Sequence, residues 1–406
     1  MALVDMRDML HHAYENSYAV GAFDLVSLDF LEAVIDAAEY ARAPVILSVA
    51  EHHFAHYDLE LMMPAVEAAA KRASIPVAIQ LDHATSVESV RRAINLGCNG
   101  ITLCSANRHL PDNIELSKQV VTMAHGCSVP VVGEVGYVGS DDSEDASAPT
   151  TPVEARTYVE RSGVDFLSVS IGTVQGRFKG RAKLDFQRLK QIHAAVDIPL
   201  VLHGGSGLNE EQYRRLTSLG VAKINYFTGL SDVAAQSMCA QIKGNRDGSF
   251  TDMKQGVKEA ICAEVKRCLR LWGSAGRAAE VLTQCEPWAP VEHLIIYNVI
   301  ERMSDEQACA MMAKGRQILS GIPGVREVFT GEAVQEGARY RFCWLVRFTH
   351  KAVIDSYREH PEHVRFADTL FRPNASDRIS IDYQDSSSAS SLALHGAGAG
   401  KMGGAS

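Results

Sequence analysis

The 406-residue chain has no hydrophobic run approaching the roughly 20 residues that cross a bilayer, so no membrane span is expected. It has no Cys-x-x-Cys pair, and its nine cysteines, from Cys98 to Cys343, are odd in number. That pattern suits reduced thiols better than a disulfide framework. The first eight residues hold no basic stretch leading into an apolar one, so no secretory leader is expected. An excess of positive charge is missing too. The formal net charge of −9 argues against nucleic acid or an anionic membrane as the main partner. It leaves room for a local site that binds an anionic metabolite. The expected location is the cytoplasm. What is present is ordinary for a globular chain, 46% hydrophobic and 22% charged residues, in a length that exceeds one typical domain.

Short runs rich in Val, Ile, Leu and Phe predict strands at 18–24, 44–50, 76–82, 100–104, 129–136, 165–172, 199–205 and 221–227. They show little polar alternation, as parallel strands covered on both faces do. Helical stretches separate them, for example 28–42, 59–73, 87–96 and 186–195. Eight such units predict a closed (β/α)8 TIM barrel over residues 1–284, because an open doubly wound sheet would leave strands unexplained. The helix-rich stretch 230–283 extends or wraps this barrel. Pro287, Trp288 and Pro290 mark a linker over 285–291. A β-α-β-β-α-β order then predicts a ferredoxin-like α+β domain over 292–384. The Ser-, Ala- and Gly-rich end, 385–406, is expected to be disordered.

Barrels of this kind carry chemistry at the carboxyl ends of their strands, and polar residues collect there in this sequence. Strand three ends in Asp82-His83, and strand five carries Glu134 between glycines. Strand six runs into Ser170 and on to Gln175-Gly176. Strand seven ends His203-Gly204-Gly205-Ser206-Gly207, and strand eight leads through Asn225 to Thr228. Two histidines and two carboxylates at one rim fit a metal-assisted reaction. The glycine cluster lets backbone N–H groups approach an anion, and Ser206 adds a hydroxyl, at the usual phosphate position of such barrels. Plainer readings exist: Asp82-His83 as a helix cap, Glu134 as a turn contact and His203 as a packed ring. His11, His12, His52, His53 and His56 are read as solvated or packed rather than as ligands. The acidic stretch 140–151 is either a solvated loop or a lid.

Leu81-Asp82-His83, Gly133-Glu134-Val135-Gly136, Ser170-Ile-Gly-Thr173, Leu202-His203-Gly-Gly-Ser-Gly207 and Lys223-Ile-Asn225-x-x-Thr228 resemble the class II fructose- and tagatose-bisphosphate aldolases. The resemblance covers residues 3–280. It implies a zinc ion, or another divalent metal, polarising the carbonyl of dihydroxyacetone phosphate. By the same resemblance Asp82 transfers the proton, His83 and His203 hold the metal, and Glu134 holds it in an alternative position. Gly176, Gly204, Gly205, Ser206, Asn225 and Thr228 match the phosphate cradle. Arg277 resembles the arginine that reaches a neighbouring subunit's second phosphate. Three positions depart from the family: Gln175 stands for a zinc-ligand histidine, Cys104 for an aspartate and Asp24 for an asparagine. A glutamine offers only a neutral amide oxygen.

Residues 322–325, Ile-Pro-Gly-Val, and 357–363, Tyr-Arg-Glu-His-Pro-Glu-His, resemble the stress-responsive A/B barrel family, whose domains dimerise through their sheets. That favours a dimerising role over a chemical one for His293, His360 and His363. The expected function is a metal-dependent aldolase or lyase releasing dihydroxyacetone phosphate and an aldehyde from a ketose phosphate. Alternatives are an isomerase or epimerase acting through the same enediolate, and a catalytically silent sugar-phosphate binder. The expected assembly is a homodimer or larger even oligomer.

Overall fold

The computed structural model describes residues 2–136, 149–173, 176, 184–244 and 247–385. The acidic stretch and the tail read from sequence above, and Gln175, lie wholly or mostly outside them. Eight parallel strands close a barrel in chain order: β1 (Val20–Asp24), β2 (Val45–Ala50), β3 (Val77–Ala84), β4 (Gly100–Leu103), β5 (Val131–Val135), β6 (Phe166–Val169), β7 (Leu200–Leu202) and β8 (Val221–Tyr226). β1 pairs with β8, Val20 opposite Lys223, which shuts the cylinder. Nearly every residue of these strands is buried, because helices cover the outside and side chains fill the inside. Reciprocal side-chain caps start the helices after β3, β5 and β7: Ser86 with Ser89, Thr151 with Glu154, and Asn209 with Gln212.

A helix not anticipated from sequence, Met6–Glu15, stoppers the amino-terminal end of the barrel. Its Met6, Met9 and Leu10 join inward residues of the strands, Ala22, Ile46, Ala78, Val132, Phe166 and Val201, in one apolar cluster. Polar side chains fill the interior nearer the other end. There Gln80 Nε2 donates to Ser48 Oγ (3.1 Å), Ser48 Oγ donates to Asp24 Oδ1 (2.7 Å), and Lys223 Nζ donates to Thr102 Oγ1 (3.2 Å). The barrel thus has a dry end and a polar mouth.

Asp165, just before β6, ties three elements together. It accepts from Arg7 Nε (2.9 Å), His125 Nε2 (2.9 Å) and the Val131 N–H (2.8 Å). Burial pushes its carboxyl up, but the His125 bond, the Arg7 charge and the Val131 N–H outweigh that and hold it below its ordinary 3.8. Asp165→Ala should therefore destabilise the barrel by about 1–3 kcal/mol at neutral pH, since it strands the Val131 N–H. A folded carboxyl held below its unfolded value contributes fully above that value, and the contribution fades as pH falls through the folded one. Thermal melts of both proteins should converge in acid, and a gap that stays constant would refute the ionic account.

The chain forms two compact units, one ending at Glu286 and the other beginning at Pro287. The second holds a four-stranded antiparallel sheet in the order β10 (Val325–Glu332), β11 (Phe342–Phe348), β9 (Val291–Val299), β12 (Ala375–Gln384). Alternate residues of β11, Phe342, Trp344, Val346 and Phe348, are buried. Trp344 meets Phe366 and Phe371 of the helical segments on that side. Phe329, Ile379, Ile381 and Tyr383 remain exposed. His293 Nδ1 lies 2.6 Å from Asp382 Oδ1, His363 Nδ1 donates to the Arg358 carbonyl (3.1 Å), and His360 caps the helix Pro361–Phe366. Among the described residues no helix is long and apolar enough to cross a membrane.

Candidate active site

The mouth is organised around the end of β3. Pairing between β3 and β4 slips between Leu81 and Ala84, and His83 adopts φ +53°, a left-handed conformation uncommon for a residue with a side chain. Such a conformation costs of order 1–3 kcal/mol and persists only where the surroundings impose it. The slip presents Asp82 and His83 together at the mouth. Asp82 is fully buried; its Oδ2 accepts from Asn225 Nδ2 (2.5 Å) and lies 3.6 Å from His83 Nε2, while its Oδ1 has no hydrogen-bond partner.

His203 follows β7 and is also buried. Its Nε2 stands 3.5 Å from Glu134 Oε1, yet it too has no hydrogen-bond partner. Burial pushes the ring down to about 3, which favours the neutral imidazole that ligates a metal. The candidate ligand atoms of Asp82, His83 and His203 lie within 4.8 Å of one another.

The surrounding charges have an unbalanced sign. Among the described residues Asp24, Asp82 and Glu134 face a single buried ammonium, that of Lys223. Burial pushes Glu134 up to about 7 and Lys223 down to about 8. Asp24 is raised by burial and by Asp82. Burial acts against a charge on His83, but Asp82, Cys104, Glu134 and Asp24 overcome it and push the ring up to about 10. Burial likewise opposes ionisation of Asp82, and His83, His203, Lys223 and Asn225 overcome it and hold the carboxyl far below its usual range. A pocket that draws a proton onto an imidazole between carboxylates is one that stabilises a cation. Two imidazoles, nearby carboxylates and two unpartnered buried acceptors fit a divalent metal.

Above this group lies a cavity of about 290 Å3. Gly176, Gly204, Ser206, Asn225 and Thr228 line it together with Asp24, Asp82, His83 and His203. Thr228 begins the 17-residue helix Thr228–Gly244, whose first N–H groups lie beside the cavity. Gly205 does not line it. Its carbonyl accepts from Tyr213 (2.6 Å), and a Cβ there would sit 3.0 Å from Ile224. Arg277 lies away from the mouth of its own barrel: its guanidinium sits over the ring of Tyr18, which precedes β1, and Nη1 donates to Glu280 (2.9 Å).

Two residues at the mouth carry no site role in the sequence reading, His52 being read there as solvated or packed and Lys223 only as part of a motif. His52 lines the cavity with its ring centroid 5.2 Å from that of His83. The signal available was its place directly after β2, at a strand's carboxyl end. Lys223 lies two residues before Asn225 on β8, which puts both side chains on the inward face.

Residues 4–277 match the family model for fructose-bisphosphate aldolase class-II. The chain belongs to the class II fructose-bisphosphate aldolase family. Members of this family are carbon–carbon lyases. Residues 291–385 match the stress responsive A/B barrel domain. The chain is 33% identical over 285 residues to a fructose-bisphosphate aldolase of Staphylococcus epidermidis, covering 68% of this chain and all of that protein. It is 33% identical over 289 residues to a fructose-bisphosphate aldolase of Geobacillus stearothermophilus, covering 69% of this chain and all of that one. Among solved structures it resembles the YdjI aldolase of Escherichia coli K12, at 32% identity and a TM-score of 0.62, over 68% of this chain and 99% of that one. The aldolase likeness lies in the barrel.

Proposed function

We propose that this protein is a metal-dependent aldolase that cleaves a ketose phosphate into dihydroxyacetone phosphate and an aldehyde. The observation that carries the reading is the placement of Asp82, His83 and His203 in one cavity that Gly204, Ser206, Asn225 and Thr228 also line. His83 and His203, with a carboxylate from Glu134, would hold a divalent ion, zinc or a near relative, which supplies a Lewis acid for a substrate carbonyl. The N–H groups of the glycine turn, the Ser206 hydroxyl and the start of helix Thr228–Gly244 bind the phosphate and fix the substrate's direction. Asp82, which lines the cavity and whose Oδ1 has no hydrogen-bond partner, takes the proton of the hydroxyl at the cleaved bond. Asn225 holds Asp82 Oδ2 and so leaves Oδ1 as the free acceptor. Gly176, which also lines the cavity, leaves room for the phosphate.

Metal analysis of the purified protein, beside a panel of ketose phosphates read by triose phosphate release, tests this reading. Bound divalent metal together with cleavage of one ketose phosphate is expected, and cleavage by thoroughly demetallated protein would overturn it. The cradle is tested separately. Ser206→Ala removes a hydroxyl from the cavity wall, where Ser206 Oγ also accepts weakly from the Gly229 N–H (3.4 Å). Inorganic phosphate and substrate should bind about tenfold more weakly, roughly 1.4 kcal/mol, with the melting temperature nearly unchanged. Unaltered phosphate affinity would place the cradle elsewhere.

A further inference from the structure

The rim beside His83 carries a further imidazole. His52 belongs to a single turn, Glu51–Ala55, directly after β2, and Ala50 at the end of that strand pairs with Asp82 in the barrel register. Glu51 Oε2 accepts from the Thr85 N–H and Oε1 from the Thr85 hydroxyl, both at 2.8 Å. The residue before His52 is thus tied to the residue two beyond His83, which holds the two histidines side by side. Their ring centroids lie 5.2 Å apart at an interplanar angle of 69°. Those of His83 and His203 lie 5.0 Å apart at 68°. His83 therefore stands in nearly the same relation to each of two neighbouring imidazoles.

That spacing suits shared ligation. Zinc binds an imidazole nitrogen at about 2.0–2.1 Å, so two rings on one tetrahedral ion have their centres roughly 5 Å apart. His52 lines the cavity that Asp82, His83 and His203 line, and also a second cavity, of about 500 Å3, together with Glu51, His83, Thr85 and Cys104. Its nitrogens stand outside the group of ligand atoms within 4.8 Å, so the ring has to turn inward to reach an ion held there. The side chain is exposed and, among the described residues, makes no hydrogen bond, which leaves it free to change rotamer.

We infer that His52 is a third imidazole ligand of the divalent ion. It joins from the exposed side an ion that His83 and the buried His203 already hold, and does not gather one by itself. The inference rests on the metal-dependent reading above and deepens it, since His52 is not among the ligands that the family resemblance implies. A third nitrogen donor favours zinc over harder ions such as magnesium.

The test measures zinc affinity on the full-length protein by competition with a chromophoric chelator, beside the visible absorption bands of cobalt bound in place of zinc. His52→Ala should bind zinc about tenfold or more weakly than the wild type and shift the cobalt bands. The melting temperature of its metal-free form should not move, because the ring is exposed. His56→Ala, exposed just beyond the same turn, should match the wild type in affinity and bands. His203→Ala should lose the ion altogether. Unchanged zinc affinity in His52→Ala, with the ion lost from His203→Ala, would overturn the ligand and leave the metal reading standing. Weaker zinc with unchanged cobalt bands would also overturn it, since His52 would then act without touching the ion. An equal loss in His56→Ala would make the turn a surface histidine cluster and sink the inference. No zinc in the wild type, or full zinc in His203→Ala, would remove the metal reading itself and the inference with it. None of these measurements needs the right sugar, so a failure to find the substrate leaves the ligand test intact.

Discussion

His203→Ala should yield a folded protein that retains no zinc after dialysis and cleaves its ketose phosphate about a thousandfold more slowly. The ring is buried, which favours its neutral form, and its Nε2 is free of hydrogen bonds within 3.5 Å of Glu134. Removing it leaves His83 as the sole imidazole of the cluster. Two carboxylates and one imidazole hold zinc poorly compared with a set richer in nitrogen donors. Lewis-acid stabilisation of developing charge is worth several kcal/mol, and about 4 kcal/mol corresponds to the thousandfold loss. The deleted ring also leaves a cavity beside the short strand β7, so a drop of about 1–3 kcal/mol in stability accompanies the change. Metal content, a melting curve and triose release, measured on one preparation, check all three effects. Full cleavage by a metal-free His203→Ala protein would refute metal involvement outright. Full metal content would move the ion away from His203.

The barrel was legible because its strands are buried on both faces and so appear as unbroken apolar runs. The direction of a parallel strand then fixes which end reaches the mouth, and Asp82, His83, Glu134, His203 and Asn225 all follow from that one fact. What lies beside those residues depends on strand register and on the turns beyond the strands, which hydropathy does not encode. The turn holding His52 is an example. With Ala50 opposite Asp82, the residues just past both strands must share the rim, but only the pairing shows it. The helix Met6–Glu15 escaped notice because its sequence, Met-Arg-Asp-Met-Leu-His-His-Ala-Tyr-Glu, mixes apolar and polar residues before the first strand. Its buried Met6, Met9, Leu10 and Ala13 follow helical spacing. Gly205 shows the limit of a motif. It sits inside the glycine turn in sequence, yet its neighbours Gly204 and Ser206 face the cavity while it packs near Ile224.

Asp82→Asn should separate proton transfer from metal binding. The substitution keeps the size of a fully buried side chain and keeps one oxygen for Asn225 Nδ2, which now donates at 2.5 Å to Oδ2. With that oxygen turned to Asn225, the amide presents its NH2 where Asp82 Oδ1 stood. A hydrogen-bond donor then meets the substrate hydroxyl in place of an acceptor, and the amide cannot take up a proton. Losing a positioned general base slows a reaction by about 10²- to 10⁴-fold, and that loss should fall on kcat with KM within a few-fold of wild type. His83, His203 and Glu134 stay in place, so zinc content after dialysis should remain close to that of the wild type, unlike in His203→Ala. Zinc lost together with activity would make Asp82 a ligand instead of a proton carrier. Retained zinc with undiminished kcat would hand the proton to another group at the mouth, of which Asp24, hydrogen-bonded to Ser48 and lining the same cavity, is the nearest in chemistry.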